Sequence, residues 1–292
     1  MANENDTTLS LAEAEALAAT HGLTRIDQPP TFFGYLRESW RYRHFALQYA
    51  VSRTLSVSSR NRLGLLWEFI TPLSNALMYF LAFGVLLGTR KDSPNFVFFL
   101  IAGVLTWQLF LQSFNMSAQA LVAGKELLRS HRLPHFVMPV SAGLQALLRT
   151  LPLILLIYPV ALLTGEAPRW QWLLLPVQMM VVVLLGLSFG LVCARPVSRV
   201  RDLQLVLPMI TRLLMFTSGI FFSVQVRFAH ADHWIRKIAE SQPVAVALNM
   251  TRGLFIPEDL PTPHQMLGVL GVIAVLSTAA ALHFWRSESH NG

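Results

Sequence analysis

Two stretches of this chain, residues 96–124 and 170–194, contain no Asp, Glu, Lys or Arg. Each exceeds the roughly 20 residues that carry a helix across about 30 Å of hydrocarbon. In a bilayer the backbone must satisfy its own N–H and C=O groups, so only helices or a closed barrel can span it. Barrel strands alternate apolar and polar side chains, whereas these runs are apolar throughout. The expected fold is therefore all-α, an integral membrane helical bundle. The composition agrees: 53% of the 292 residues are hydrophobic and 13% charged, against about a quarter charged in soluble domains.

Hydropathy places six spans, at about 63–88, 97–119, 137–163, 170–194, 203–224 and 264–285. The organisation expected around them is a mobile cytoplasmic tail (1–30), an amphipathic helix and linker (31–62), a transmembrane domain (63–286) and a short cytoplasmic tail (287–292). The first 30 residues hold Glu4, Asp6, Glu13, Glu15 and Asp27 and lack the apolar core of a signal peptide. Lys and Arg set the orientation. Fourteen of the 23 fall on the side of the termini, seven on the opposite side, and Arg149 and Arg212 inside spans. Both termini are therefore expected in the cytoplasm.

Residues 31–52 read as a helix lying in the membrane interface. Phe33, Leu36, Trp40 and Leu47 fall on one face and Arg37, Arg41 and His44 on another, with further aromatics between them. The alternative is an ordinary amphipathic helix packed on the bundle. The segment 223–263 is long and half apolar yet too polar to span, and 238–250 suggests short helices dipping back into the outer leaflet. Such irregular backbone is tolerated where protein or a cavity shields it.

Several chemistries are excluded. Glu68 alone among the acidic residues lies within an expected span, and proton- or ion-coupled carriers usually need intramembrane Asp, Glu or His. His131 and His135 are separated by Pro134 and lack an accompanying carboxylate, so no metal site is expected. The closest approach to a phosphate-binding loop, Ala123-Gly124-Lys125-Glu126, lacks the upstream Gly and the hydroxyl residue after Lys. The chain is expected to bind no cofactor and to hold no catalytic residues. A single cysteine, Cys193, precludes an internal disulfide.

What remains is a passage. Arg149 and Arg212 are costly in lipid unless they face a partner or a wet cavity; they grip an anionic group such as phosphate, or they cap carbonyls freed by nearby prolines. Tyr79, Phe83, Trp107, Phe110 and Phe114 are the aromatic candidates to line a route for sugars, against the reading that they pack helices or form an interface belt.

The order of local sequences carries a resemblance. After the basic amphipathic segment come Arg60-Asn61-Arg62-Leu63-Gly64-Leu65-Leu66-Trp67 with Pro72, then Gly103-Val104-Leu105-Thr106-Trp107. The stretch 121–129 (LVAGKELLR) leads to Leu133-Pro134. Later come Arg201-Asp202-Leu203, Ser218-Gly219-Ile220-Phe221-Phe222, Gln242-Pro243 and Thr251-Arg252-Gly253-Leu254. Over residues 32–286 this resembles the membrane subunit of ABC-2 type exporters, in the branch that exports O-antigen, capsule, teichoic acid and galactan polysaccharides. Gln242 stands where that family more often has Asn.

The resemblance implies a homodimer in the bacterial inner membrane, partnered by two copies of an ABC ATPase that carries the ATP and magnesium. Lys125, Glu126, Leu128, Arg129 and Arg132 would couple to that ATPase, and residues 239–255 would gate the outer end. The cargo would be a polyprenyl-pyrophosphate-linked polysaccharide, with membrane lipids as further partners and no nucleic acid. The rivals are an ABC-2 exporter of a small hydrophobic compound and a membrane-embedded glycosyl- or acyltransferase. The second would need carboxylates or histidines near the membrane face.

Overall fold

The computed structural model describes residues 20, 31–60, 64–86, 88, 95–130, 134–200, 202–224 and 232–289. All regular structure among them is helical. Calls on Asn61, Arg62, Leu63, His131, Arg132, Leu133 and Arg201 lie outside the described residues.

The amphipathic segment forms two helices, α1 (Phe32–Arg41) and α2 (Arg43–Arg60), rather than one. Thr31 caps α1 by accepting from the Gly34 N–H at 3.2 Å. Phe33 and Trp40 stay exposed, while Tyr35 turns inward and is fully covered. Its hydroxyl accepts from the Phe136 N–H at 3.4 Å, and Phe32 meets Trp285 edge-on near the chain's end. Ala46 and Ala50, four apart and buried, form the inward face of α2. Small side chains of this kind let helices approach closely without water to drive them together.

The first span begins as α3 (Gly64–Tyr79), with Pro72 inside it, and continues as a π-helical turn over Phe80–Leu86. The second, α4 (Phe96–Ala123), is the central post of the bundle, buried along most of its length. Asn95 secures its N-terminal end, donating to the Thr164 carbonyl at 3.0 Å and to Glu166 at 2.8 Å. A short helix, α5 (Lys125–Ser130), follows at its C-terminal end.

The third span is broken into α6 (Val137–Leu155) and α7 (Ile157–Leu163). Pro159 has no N–H for the carbonyl of Leu155, which is the physical reason for a break there. The fourth opens with a 3₁₀ turn (Trp170–Leu174) and runs as α8 (Leu175–Arg199), five residues past its expected end. That extension buries Arg195, counted above as a loop charge; it donates to the Phe284 carbonyl at 3.1 Å and lies over the Phe284 ring. α8 lies close against α4. A Cβ at Gly186 or Gly190 would sit 2.7–2.8 Å from the carbonyls of Phe110 or Phe114, and Ser113 donates across to Val183 at 2.9 Å.

The fifth helix, α9 (Leu203–Thr217), stops well short of the expected residue 224. Gly219 adopts φ +71°, a left-handed conformation that ends a helix, with Ser218 as its cap. Fifteen residues give about 22 Å, less than the hydrocarbon thickness. Two short helices follow, α10 (His233–Ser241) and α11 (Pro243–Gly253), then a 3₁₀ turn (Pro257–Asp259) and the last span, α12 (Pro263–Ser289). Among the described residues, four segments are long and apolar enough to cross a membrane, and two shorter apolar helices, Ile70–Leu86 and Leu203–Thr217, accompany them.

Candidate functional site

The described residues hold no His, Cys, Asp and Glu grouping fit for a metal. Three features are the candidates: the short helix α5, the buried helix α11, and the faces of α3 and α9.

α4 gives way to α5 at Gly124, where a Cβ would overlap the Met138 methyl of α6. The bend therefore sits directly on the bundle. Lys125 and Glu126 point outward, and Leu127 and Leu128 are half-buried against the cluster containing Tyr35, Met138 and Phe284. Through Gly124, Leu127 and Leu128, α5 and the bend before it pack directly on the bundle. The backbone of Arg129 lies in α5; its side chain is outside the described set, as is Arg132.

Arg149 sits half-buried on α6 and has a bonding partner. Arg212 is exposed on α9. Leu205, Met209 and Leu213 are also exposed on this helix at roughly helical spacing. Tyr79 and Phe83 extend the first span toward Phe221, with ring centroids 4.7 and 4.2 Å away, and the Tyr79 hydroxyl reaches the Met215 sulfur at 3.7 Å. Trp107, Phe110 and Phe114 were candidates for the same passage, but the packing removes them from it. All three are at most 5% exposed, Trp107 tilted against Phe110 and Phe110 stacked on Phe114, inside the bundle around α4. An apolar ring on the most buried helix gains more by filling the core than by meeting water.

α11 is buried along most of its length. Residues 244–248 are all buried, and so is Arg252, at 1% exposure. Counted from sequence as a loop charge, Arg252 is the largest fully buried side chain in the protein as described. Its guanidinium donates to the carbonyls of Phe99 (3.1 Å), Gly219 (3.0 Å) and Ile220 (3.1 Å) and to Asn249 Oδ1 (3.2 Å). It also lies over the Phe99 ring. A Cβ on Gly103 would collide with this guanidinium. Three separate sequence stretches thus meet at one point: 103–107 gives room, 218–222 gives carbonyls and 251–254 gives the cation. The available signal was Arg252 itself, an Arg in the otherwise uncharged run 241–257.

Nearby, Asp259 is largely buried, and its Oδ2 lacks a hydrogen-bond partner among the described residues. Burial pushes its carboxyl above the usual carboxylate range; the charge of Arg252 pulls back the other way and does not cancel the rise.

The profile of the ABC-2 type transporters matches residues 46–256. The chain belongs to the ABC-2 type transporter family. It is a multi-pass membrane protein and a transporter subunit rather than an enzyme. This ABC-2 chain is 28% identical over 254 residues to the O-antigen export system permease protein RfbA of Myxococcus xanthus, an alignment covering 85% of the chain and 94% of that relative. It is 30% identical over 110 residues to the protein of the same name from Klebsiella pneumoniae, covering 38% and 42% of the two lengths.

Proposed function

We propose that this chain is the membrane subunit of an ATP-driven exporter that moves a polysaccharide out of the cytoplasm across the inner membrane. The observation that carries the reading is the similarity to an O-antigen export permease over nearly the full length of both chains. The absence of a phosphate-binding loop in the sequence fits an energy source on a separate ABC ATPase. The cargo is lipid-linked, on a polyprenyl pyrophosphate, and is an O-antigen or galactan. Two copies of the chain and two of the ATPase form the working unit, with both termini in the cytoplasm.

In this unit α5 is the lever that receives the ATPase stroke. The bend at Gly124 joins it directly to α4, the most buried helix, so a displacement below is felt through the bundle. α11, held by Arg252, closes the outer end. The exposed faces of α3 and α9 line the passage between copies, with Tyr79 and Phe83 beside it. Arg212, exposed on α9, meets the pyrophosphate there, and Arg149 assists from α6.

The test is co-expression of the tagged chain with the ATPase encoded beside it, extraction in detergent and native mass measurement. The expected result is a two-plus-two complex that turns over ATP. A chain that purifies alone and recruits no ATPase overturns the proposal.

A further inference from the structure

At the inner end of the bundle a cavity of about 290 Å³ with a polar side opens between α2, α4 and α6. Its polar lining is Tyr49 and Arg53 from α2, Asn115 and Gln119 from α4, and Gln145 from α6. Asn115 and Gln119 are four residues apart and so share one face of α4. Gln145 lies eight residues into α6, about 12 Å along the helix, and is 9% exposed. Among the described residues, none of these three amides has a hydrogen-bond partner. Arg53 is anchored to its own helix, donating from Nε to the Tyr49 hydroxyl at 3.1 Å, which leaves its terminal NH₂ groups to meet a ligand.

Three amides, one of them on a residue only 9% exposed, concentrate hydrogen-bonding capacity on one side of this cavity. Here the amides face a cavity, not each other. An amide presents a donor and an acceptor together, which matches a sugar hydroxyl, itself both donor and acceptor. A guanidinium matches a phosphate oxygen pair. A lipid tail or a bare anion would leave the amides on α4 and α6 unmatched.

We infer that this cavity binds a sugar phosphate, the phosphate on Arg53 and the sugar hydroxyls on Asn115, Gln119 and Gln145. The inference rests on the export reading above and deepens it: the pocket is a docking place for the reducing end of the cargo before transport. It lies at the end that carries α1, α2 and α5, the cytoplasmic end in the proposed orientation.

The test measures binding to the full-length chain in detergent by calorimetry, without ATP. Two probes separate the sources of the chemistry: glucose 1-phosphate, which is soluble, and a farnesyl-diphosphate-linked glucose. Two variants report on the pocket: Gln145→Leu, which removes the amide at nearly constant volume, and Arg53→Gln on the exposed helix. The expected result is wild-type binding of the lipid-linked probe, weakened about tenfold or more by each variant. Equal wild-type affinity for both probes assigns the site to a free sugar phosphate; preference for the lipid-linked probe assigns it to the carrier. Wild-type affinity in both variants, or no binding of either probe to the wild type, overturns the inference. Should Gln145→Leu fail to fold, the surface variant Gln119→Leu replaces it under the same criterion. Because binding is read without the ATPase, failure here leaves the export reading standing. Failure of the two-plus-two assembly leaves the pocket standing.

Discussion

Arg252 is satisfied by backbone carbonyls rather than by a carboxylate, and this fixes what its replacement does. The planar guanidinium reaches Phe99, Gly219 and Ile220 at once. An ammonium on a flexible stem cannot reproduce that fork. Each buried acceptor left without a donor costs about 1–3 kcal/mol. Arg252→Lys is therefore expected to lower the unfolding midpoint in detergent clearly, and Arg252→Met to lower it further. The control is Arg236→Lys, whose 2.8 Å pair with Glu240 is exposed on α10 and, like most surface pairs, is worth about 0–1 kcal/mol. If Arg252→Lys unfolds like the wild type, the three contacts do not hold α11 in place.

Asp259 yields a second residue-scale expectation, with a definite sign. Its carboxyl titrates above the usual range because it is desolvated. In the folded state it therefore binds a proton more tightly than in the unfolded state, and its contribution to stability is lost as pH rises through the raised value. Asp259→Asn removes that penalty. The variant is expected to melt higher than the wild type at neutral and mildly alkaline pH. The gap should close as pH falls below the normal Asp range, where both states of the wild type are protonated. A gap independent of pH would show that folding does not shift this carboxyl, and one that widens in acid would show that Arg252 holds it charged.

Among the elements, the pair α4–α8 depends on glycines. Gly186 and Gly190 bring α8 within van der Waals contact of the α4 backbone, so a larger side chain must push the helices apart. Overpacking of this kind typically costs about 1–3 kcal/mol. Gly186→Leu is expected to lower stability by that order. Gly268→Ala on α12, where a Cβ meets nothing within 4 Å, should be neutral or slightly stabilising, since it adds only helix propensity. Equal effects at the two positions would mean that α4 and α8 are not in close contact. The lever α5 gives an expectation of another kind. Reversing the charges at Glu126 and Arg129 together should cut ATPase co-purification by about tenfold, equivalent to 1.4 kcal/mol, or uncouple turnover from export, while the bundle still folds. Unimpaired export would assign coupling elsewhere.

These elements also show how far the sequence could be read. Uninterrupted apolar runs fix a helical membrane bundle, because length and lack of charge are local properties that the bilayer converts directly into spans. The short helices before the last span were legible from proline and local polarity. The places that escaped were those decided by packing. Nothing local distinguishes Trp107 from Tyr79 as a candidate lining, yet one is enclosed around α4 and the other reaches Phe221 from the first span. Arg252 escaped because charge counting treats every Arg in a loop as solvated, and its partners lie 32, 33 and 153 residues away. The three pocket amides escaped because Asn and Gln within an apolar run carry no signal until two further helices close around them.

At the scale of the whole molecule, the unresolved question is what faces α9. Its exposed face carries Leu205 at 73%, Met209 at 71% and Leu213 at 68%. An apolar surface of that kind is compatible with lipid alone. Arg212 is not, since it is exposed beside Leu213 near the middle of a hydrophobic helix, where a charge is expensive unless a partner or water receives it. The shortness of α9 points the same way: about 22 Å of helix cannot shield a 30 Å bilayer by itself. A second copy of the chain across this face resolves both, covering the leucines and enclosing a wet space for Arg212. The chain's single cysteine makes the expectation directly measurable. In a Cys193→Ser background, Leu213→Cys is expected to form an oxidant-dependent disulfide between two copies in native membranes. Val275→Cys on α12, also exposed at 67%, should not. Crosslinking at 275 but not at 213 would move the dimer contact to the last span and leave Arg212 facing lipid. That outcome would remove the passage between α3 and α9, and with it the role given to Arg212.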